Sequence, residues 1–355
     1  MRNFSFLCLL VLFLCSIAMA TVDAGEPDKG FVHRTVTDGN GKDERYVVFI
    51  PHSYDGKKPY PVIMFLHGAD EKKPIPWGLG TYIQQHEKTF EFVTVLPHTE
   101  AEKWWNPDGP GGKHAMRALD DVLKHYKTDA NRVYLTGFSV GGICTWEFGA
   151  RTPERWAALA PVAGWSYPEW TKKVKDIPVW AFNGAVDPAI PVDMTREAIA
   201  LLKKLGAHPK YTEYPDVGHT PENAYHEQEL YVWLKKQSKN PAVGDWHMNQ
   251  PSVGEATLHI TEKGGKLEVQ EVGNGNAKST IASYKDGFLV IHWEVSEDLR
   301  GYWVLNMNRE HTKGSGRTVF IRFKDFEPGV PQEIEGRKVR VVENVTIERV
   351  GPNVP

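Results

Sequence analysis

The feature that most narrows the fold is an alternation running from residue 45 to residue 236. Short β-branched runs at 45–50 (RYVVFI), 61–67 (PVIMFLH), 92–96 (FVTVL), 132–137 (RVYLTG), 156–162, 178–182 and 211–214 are bounded by turn residues and read as buried strands. Between them lie segments of helical spacing. Over 111–127 the apolar residues Met116, Leu119, Val122, Leu123 and Tyr126 fall on one face. Helices are also predicted over 140–150, stopped before Pro153, from an N-cap at Asp193 to Gly206, and over 225–236. Strands separated by helices imply a mostly parallel sheet with helices on both faces.

The pattern changes near Lys239. Asn240 and Pro241 mark a boundary, and from 242 to 350 no helical period persists. Short alternating strands follow instead. Gly264-Gly265 joins runs at 258–261 and 266–269, and Asp286-Gly287 joins 280–284 to 288–295; both are hairpin signals. Further runs lie at 303–305 and 318–323. A separate all-β module of about seven or eight strands, sandwich or barrel, is expected over 241–355. Its Gly244-Asp245-Trp246 resembles the opening of lipocalins. Trp246, Trp293 and Trp303 either stack on sugar rings or fill the module's core, and in small β domains such tryptophans are usually interior anchors.

The first twenty residues read as a leader. Arg2 precedes an apolar run over 7–20, which ends in the small-x-small pattern Ala18-Met19-Ala20. The run is short for a bilayer span. A mature chain starting after Ala20 is expected to be secreted or periplasmic, with a catalytic domain over 21–240. Cleavage there removes Cys8 and Cys15 and leaves Cys144 alone, which excludes an internal disulfide or a cysteine zinc site. The 355 residues carry a net charge of −3, so no basic surface calls for nucleic acid or an anionic membrane.

The chemistry concentrates in TGFSVGG, residues 136–142. Ser139 follows a predicted strand and precedes a predicted helix, with glycines where a tight turn needs them. Its hydroxyl needs a base. His219, in PDVGHT just after the strand 211–214, is the candidate; His226 competes but lies within a helical pattern. The imidazole needs an orienting carboxylate. Asp187, in the loop following the strand 178–182, supplies one. The strand 61–67 ends in His67-Gly68-Ala69, so the main-chain N–H groups of Ala69 and Val140 are candidate oxyanion donors.

Residues 45–236 resemble the α/β-hydrolase superfamily, most of all the secreted bacterial carboxylesterases related to polyhydroxybutyrate depolymerases and feruloyl esterases. The stretches that carry the resemblance are RYVVFIPHSYDGKKPYPVIMFLHGAD, ANRVYLTGFSVGGICTWEFGARTPERWAALAPVAG, PVWAFNGAVDPAIPV and YPDVGH. The resemblance implies Ser139 as nucleophile, His219 as base, Asp187 as its acid partner, and Ala69 with Val140 as oxyanion donors. The chain departs from many relatives at Asp70, where they have glycine, and at Asn183, where they have histidine.

The reaction expected is acyl transfer from a carboxylic ester through an acyl-enzyme, needing no metal or organic cofactor. Trp104 and Trp105, in the loop after the strand 92–96, are candidate substrate contacts, as are Trp165 and Trp170. Only residues 163–177 separate two strands where a lipase would carry a multi-helix cap, which suits small-molecule or polymer-attached esters. Two other readings are a serine peptidase of prolyl-oligopeptidase type, and a glycan-binding protein whose β-module contacts sugar and whose hydrolase part is inert.

Overall fold

A computed structural model of the chain describes residues 28–69, 71–99, 104–240, 242–250, 254–263, 266–273, 278–285, 288–296, 299–307, 313–322 and 339–349. The leader-like segment 1–20, Asp70, the loop residues 100–103 and the two hairpin turns at 264–265 and 286–287 lie outside the described residues.

The first sheet has eight strands: β1 (Gly30–Thr37), β2 (Asp43–Ile50), β3 (Tyr60–Leu66), β4 (Val93–Pro97), β5 (Thr128–Phe138), β6 (Ala158–Val162), β7 (Trp180–Gly184) and β8 (Lys210–Tyr214). They are ordered β1-β2-β4-β3-β5-β6-β7-β8. β1 and β2 run antiparallel to their neighbours, and all pairings from β4 through β8 are parallel. The helices are α1 (Leu79–Gln85), α2 (Pro110–His125), α3 (Val140–Arg151), α4 (Pro168–Lys173), α5 (Val192–Lys204), α6 (Glu222–His226) and α7 (Gln228–Lys235). This is the α/β-hydrolase architecture.

Both faces of the sheet are covered, and β3 shows why it reads as a continuous apolar run. Val62, Met64 and Leu66 enter one core with Leu119 and Val122 of α2. Ile63 and Phe65 enter the other with Tyr225 of α6 and Leu234 of α7. Side chains alternate across a strand, so a strand buried on both faces needs apolar residues at every position.

The structure adds two elements that carry no sequence period, β1 and α1, and changes two local expectations. β1 carries little apolar pattern because it is an edge strand with only its ends buried. α1 is too short to show a period. Asp193 does not cap α5; Pro191 occupies the N-cap, and Asp193 lies in the first turn, where its carboxylate accepts from Arg196 Nη1 at 2.7 Å. The helix expected over 225–236 is two helices, broken at Glu227, whose φ of −74° and ψ of 100° are extended.

The remaining strands are β9 (Gly244–Gln250), β10 (Gly254–Lys263), β11 (Lys266–Gly273), β12 (Lys278–Lys285), β13 (Phe288–Ser296), β14 (Leu299–Met307), β15 (Lys313–Arg322) and β16 (Val339–Arg349). Each pairs antiparallel with the next, and β16 returns to β9, closing an eight-stranded barrel. Closure leaves no strand edge exposed to a second chain. Trp246, Trp293 and Trp303 all face inward and are buried. Trp246 Nε1 donates to Ala242 O at 2.8 Å, and Trp303 Nε1 donates to the buried Gln250 Oε1 at 3.0 Å. The tryptophans therefore build the barrel core, and none presents a face for stacking on sugar. Trp246→Ala should destabilise the barrel by about 3–5 kcal/mol through the cavity it leaves, read as a lower urea midpoint for the tryptophan signal.

Candidate active site

Three loops at one edge of the sheet bring Ser139, Asp187 and His219 together, because parallel strands end on the same side. Ser139 stands between β5 and α3, with φ 58° and ψ −119°, a left-handed backbone conformation rare outside glycine. The turn survives because the elements around it touch. A Cβ at Gly141 would collide with the carbonyl oxygens of Leu66 and His67 at the end of β3, and one at Gly142 would collide with Val162 O at the end of β6. Ser139 N donates to Val162 O at 3.0 Å, fixing the elbow to the neighbouring strand.

Asp187 follows β7, and its side chain is fully buried. One oxygen, Oδ1, accepts from the amides of Ala189 and Ile190 at 2.8 and 2.9 Å. The other, Oδ2, accepts from His219 Nδ1 at 2.8 Å. That bond sets the tautomer: Nδ1 carries the hydrogen, and Nε2 keeps a lone pair. Nε2 lies 2.9 Å from Ser139 Oγ and accepts from its hydroxyl. The His219 ring also rests on Phe138, with ring centroids 4.7 Å apart. His226 turns away to Tyr82 and His86. Cys144, in α3, is buried, and that burial pushes its thiol far above the ordinary range, so it stays a protonated packing group.

Gly68 lies against the elbow. A Cβ there would sit 3.2 Å from Phe138 and 3.5 Å from Ser139 Cβ. The His67-Gly68-Ala69 turn therefore packs on the Ser139 turn, with Ala69 on its exposed side. Val140 opens α3, where the first-turn amides have no partner inside the helix.

Trp104 and Trp105 part company. Trp105 is buried, donates Nε1 to His67 O at 2.9 Å, and meets the His67 ring at 4.7 Å, so it packs beneath the turn rather than lining a surface. Trp104 is half-buried and meets Trp165 at 6.4 Å. Asp108, in the same loop, pairs with Arg151.

Two groups carry more than their sequence positions suggest. Asn183 is buried; its Nδ2 donates to Gly184 O at 3.1 Å and its Oδ1 accepts from Thr195 at 3.2 Å, tying the Asp187 loop to α5. His67 donates Nδ1 to Gly68 O at 2.8 Å, and burial pushes its imidazole down to about 4. In the sequence each stands out as a polar residue at the end of an apolar strand.

A family model described as Dienelactone hydrolase family matches residues 41–246. The chain belongs to this family. Among solved structures, the crystal structure of a thermostable esterase is 27% identical, covers 59% of this chain and 63% of its own, and superposes with a TM-score of 0.53. Among curated proteins, the chain is 29% identical over 101 residues to the bifunctional acetylxylan esterase/xylanase XynS20E of Neocallimastix patriciarum, covering 28% of this chain and 15% of that protein. It is 28% identical over 146 residues to acyl-protein thioesterase 1 of Gibberella zeae, covering 37% of this chain and 60% of that one. The chain thus spans less than two thirds of the length of these curated relatives. The match to the family runs from β2 through α7 and just reaches β9, leaving β1 and the rest of the barrel outside it.

Two outcomes follow from this geometry. Asn183→Ala should remove the buried hydrogen bonds its amide makes with Gly184 O and Thr195 Oγ1, costing about 1–3 kcal/mol; a urea titration reads the loss. His67 stays neutral in the folded chain down to about 4, against an ordinary value of 6.5. Between those values the unfolded chain binds more protons, so stability falls as pH drops from about 6.5 to about 4, by up to about 3 kcal/mol from this group. Thermal melts across that window should record the fall, and His67→Gln should flatten it.

Proposed function

We propose that this chain is a secreted serine carboxylesterase that cleaves carboxylic esters through an acyl-enzyme. The observation that carries the reading is the continuous relay of 2.9 Å from Ser139 to His219 and 2.8 Å from His219 to Asp187, with the imidazole part-exposed and the carboxylate buried. A neutral imidazole with its lone pair on a serine hydroxyl is poised to take that proton as the oxygen attacks a carbonyl carbon. Asp187 holds the ring and stabilises the imidazolium that forms. The amides of Ala69 and Val140 receive the tetrahedral oxyanion, helped by the positive end of α3. His219 then protonates the departing alcohol, and water repeats the cycle on the acyl-enzyme.

The substrate reading is a small-molecule or polymer-attached ester. The connection from β6 to β7 carries α4 alone, a single helix of 6 residues, so this segment builds no deep cap over the serine. Relatives with names such as acetylxylan esterase and thermostable esterase support ester chemistry here. Trp104 is assigned to the substrate's edge. Export rests on the leader-like residues 1–20; among the described residues, no helix is long and apolar enough to cross a membrane. Residues 21–240 are assigned to catalysis and 241–355 to the β-module. A prolyl-oligopeptidase-like peptidase is the alternative that an amide panel would reveal.

Ser139→Ala should lower kcat on p-nitrophenyl acetate by roughly 10⁴–10⁶ and abolish labelling by a fluorophosphonate probe. Near-normal turnover by that variant would remove Ser139 from the mechanism. An inactive His226→Ala beside a healthy His219→Ala would transfer the base to the other histidine.

A further inference from the structure

Beside the relay lies a cluster of rings that the acyl-transfer chemistry does not use. Trp165 and Trp170 are parallel to within 5°, with centroids 6.1 Å apart. Tyr167 meets each of them at 74°, at 4.6 and 4.7 Å. Trp104 joins from the loop after β4, at 6.4 Å from Trp165. The undersides of Trp104, Trp165 and Trp170 pack on the cores of the sheet. Their upper sides do not close over: all three are half-buried, and Tyr167 is 46% exposed.

The cluster is tied to the reacting centre from two directions. Ala163, in the left-handed region at φ 46°, and Gly164 turn the chain just after Val162, whose carbonyl holds Ser139 N. Gly164 packs so closely on the first turn of α3 that a Cβ would sit 2.6 Å from Ile143 N. Trp165 therefore leaves the sheet beside the helix that Ser139 opens. On the other side, Trp104 adjoins Trp105, which holds the carbonyl of His67 before the Gly68-Ala69 turn. The segment is also rigid. Thr171 Oγ1 donates to Ser166 Oγ at 2.9 Å, Ser166 Oγ donates to Tyr167 O at 3.1 Å, and Trp170 N donates to the same carbonyl at 3.0 Å.

We propose that Trp165, Tyr167 and Trp170, with Trp104 at the edge, form a platform on which a neutral pyranose ring of the ester-bearing glycan stacks while its ester reaches Ser139. This rests on the carboxylesterase reading and names its substrate as a carbohydrate ester. Three properties select a sugar. The rings are held in place before binding, so little side-chain freedom is lost. The four rings carry no charge, so the surface they make is apolar rather than ionic, with the charged groups of the segment, Glu169, Lys172 and Lys173, on α4 alongside. The rings stay partly exposed, which fits a ring with one apolar CH face and a solvated hydroxyl rim; an aryl acyl group gains most from a slot that covers both faces. Tyr167 is the most exposed of the rings and brings a hydroxyl able to bond a sugar hydroxyl.

The test separates binding from turnover. The full-length Ser139→Ala protein is titrated calorimetrically with xylohexaose, cellohexaose and, separately, ferulic acid. Saturable binding of at least one hexaose is expected, weakened at least about tenfold when Tyr167→Ala or Trp165→Ala is added, with Trp165→Phe retaining part of it. With Ser139 present, Trp165→Ala should lower kcat/KM on an acetylated xylo-oligosaccharide about tenfold more than on p-nitrophenyl acetate, mostly through KM. Ferulic acid binding without either hexaose would make the cluster an aryl-acyl site and overturn the proposal. So would equal losses on both esters, the signature of packing alone, or hexaose binding indifferent to both substitutions. Tyr167→Ala removes an exposed ring, so it keeps the test valid if Trp165→Ala fails to fold. Ring-dependent hexaose binding by a protein that hydrolyses no ester would sink the esterase reading and leave the platform standing.

Discussion

The close approach of α3 to the ends of β3 and β6 is the constraint on which the site depends. Gly141 and Gly142 let the helix begin where any side chain would strike the carbonyls of Leu66, His67 or Val162. That contact forces the chain through one residue of left-handed backbone, and the residue is Ser139. Such a conformation costs about 1–3 kcal/mol. It persists because the bond from Ser139 N to Val162 O and the packing of a buried helix on both sides of the turn hold it there. A hydroxyl displayed in this way stands clear of its own backbone, with the unpaired amides of a helix start beneath it.

The remaining groups meet that hydroxyl because parallel strands deliver all their following loops to one edge. Asp187 and His219 come from the ends of β7 and β8, two strands or more away from β5 in the sheet, and Ala69 from the end of β3 on the other side. Each loop is then fixed by bonds that do no chemistry. Both amides on Asp187 Oδ1 leave its other oxygen a single direction. Asn183 ties the same loop to α5, and Trp105 holds the carbonyl of His67. A burial-neutralised His67 beside the Gly68-Ala69 turn adds no positive charge there at neutral pH.

The barrel obeys a different economy of burial. Its strands alternate, as β9 does with Trp246, Met248 and Gln250 inward and Asp245, His247 and Asn249 outward. One face is core and the other is wet, so the period of two survives in the sequence. The three tryptophans fill the interior, with Trp246 Nε1 donating to Ala242 O and Trp303 Nε1 to Gln250 Oε1. Aromatic surface next to the relay is instead supplied by the loops after β4 and β6.

The sequence by itself determined the alternation of buried strands and helices, the serine turn, and the serine, carboxylate and histidine that follow strand ends. Buried strands such as β3, β5 and β7 and the helices α2 and α3 announce themselves because apolar period follows burial. It also limited the β-module to a sandwich or a barrel. Where burial is partial or elements are short, the signal fades: β1 at the sheet edge, α1 and α4, and the break at Glu227 left no period to read. Only the tertiary structure decided that His219 rather than His226 reaches Ser139, that Trp105 goes under the site while Trp104 stays at its edge, and that eight strands close into a barrel. The reason is common to all three. Spacing along a chain fixes which face of an element a residue occupies, but which faces meet is set by the packing of elements far apart in sequence.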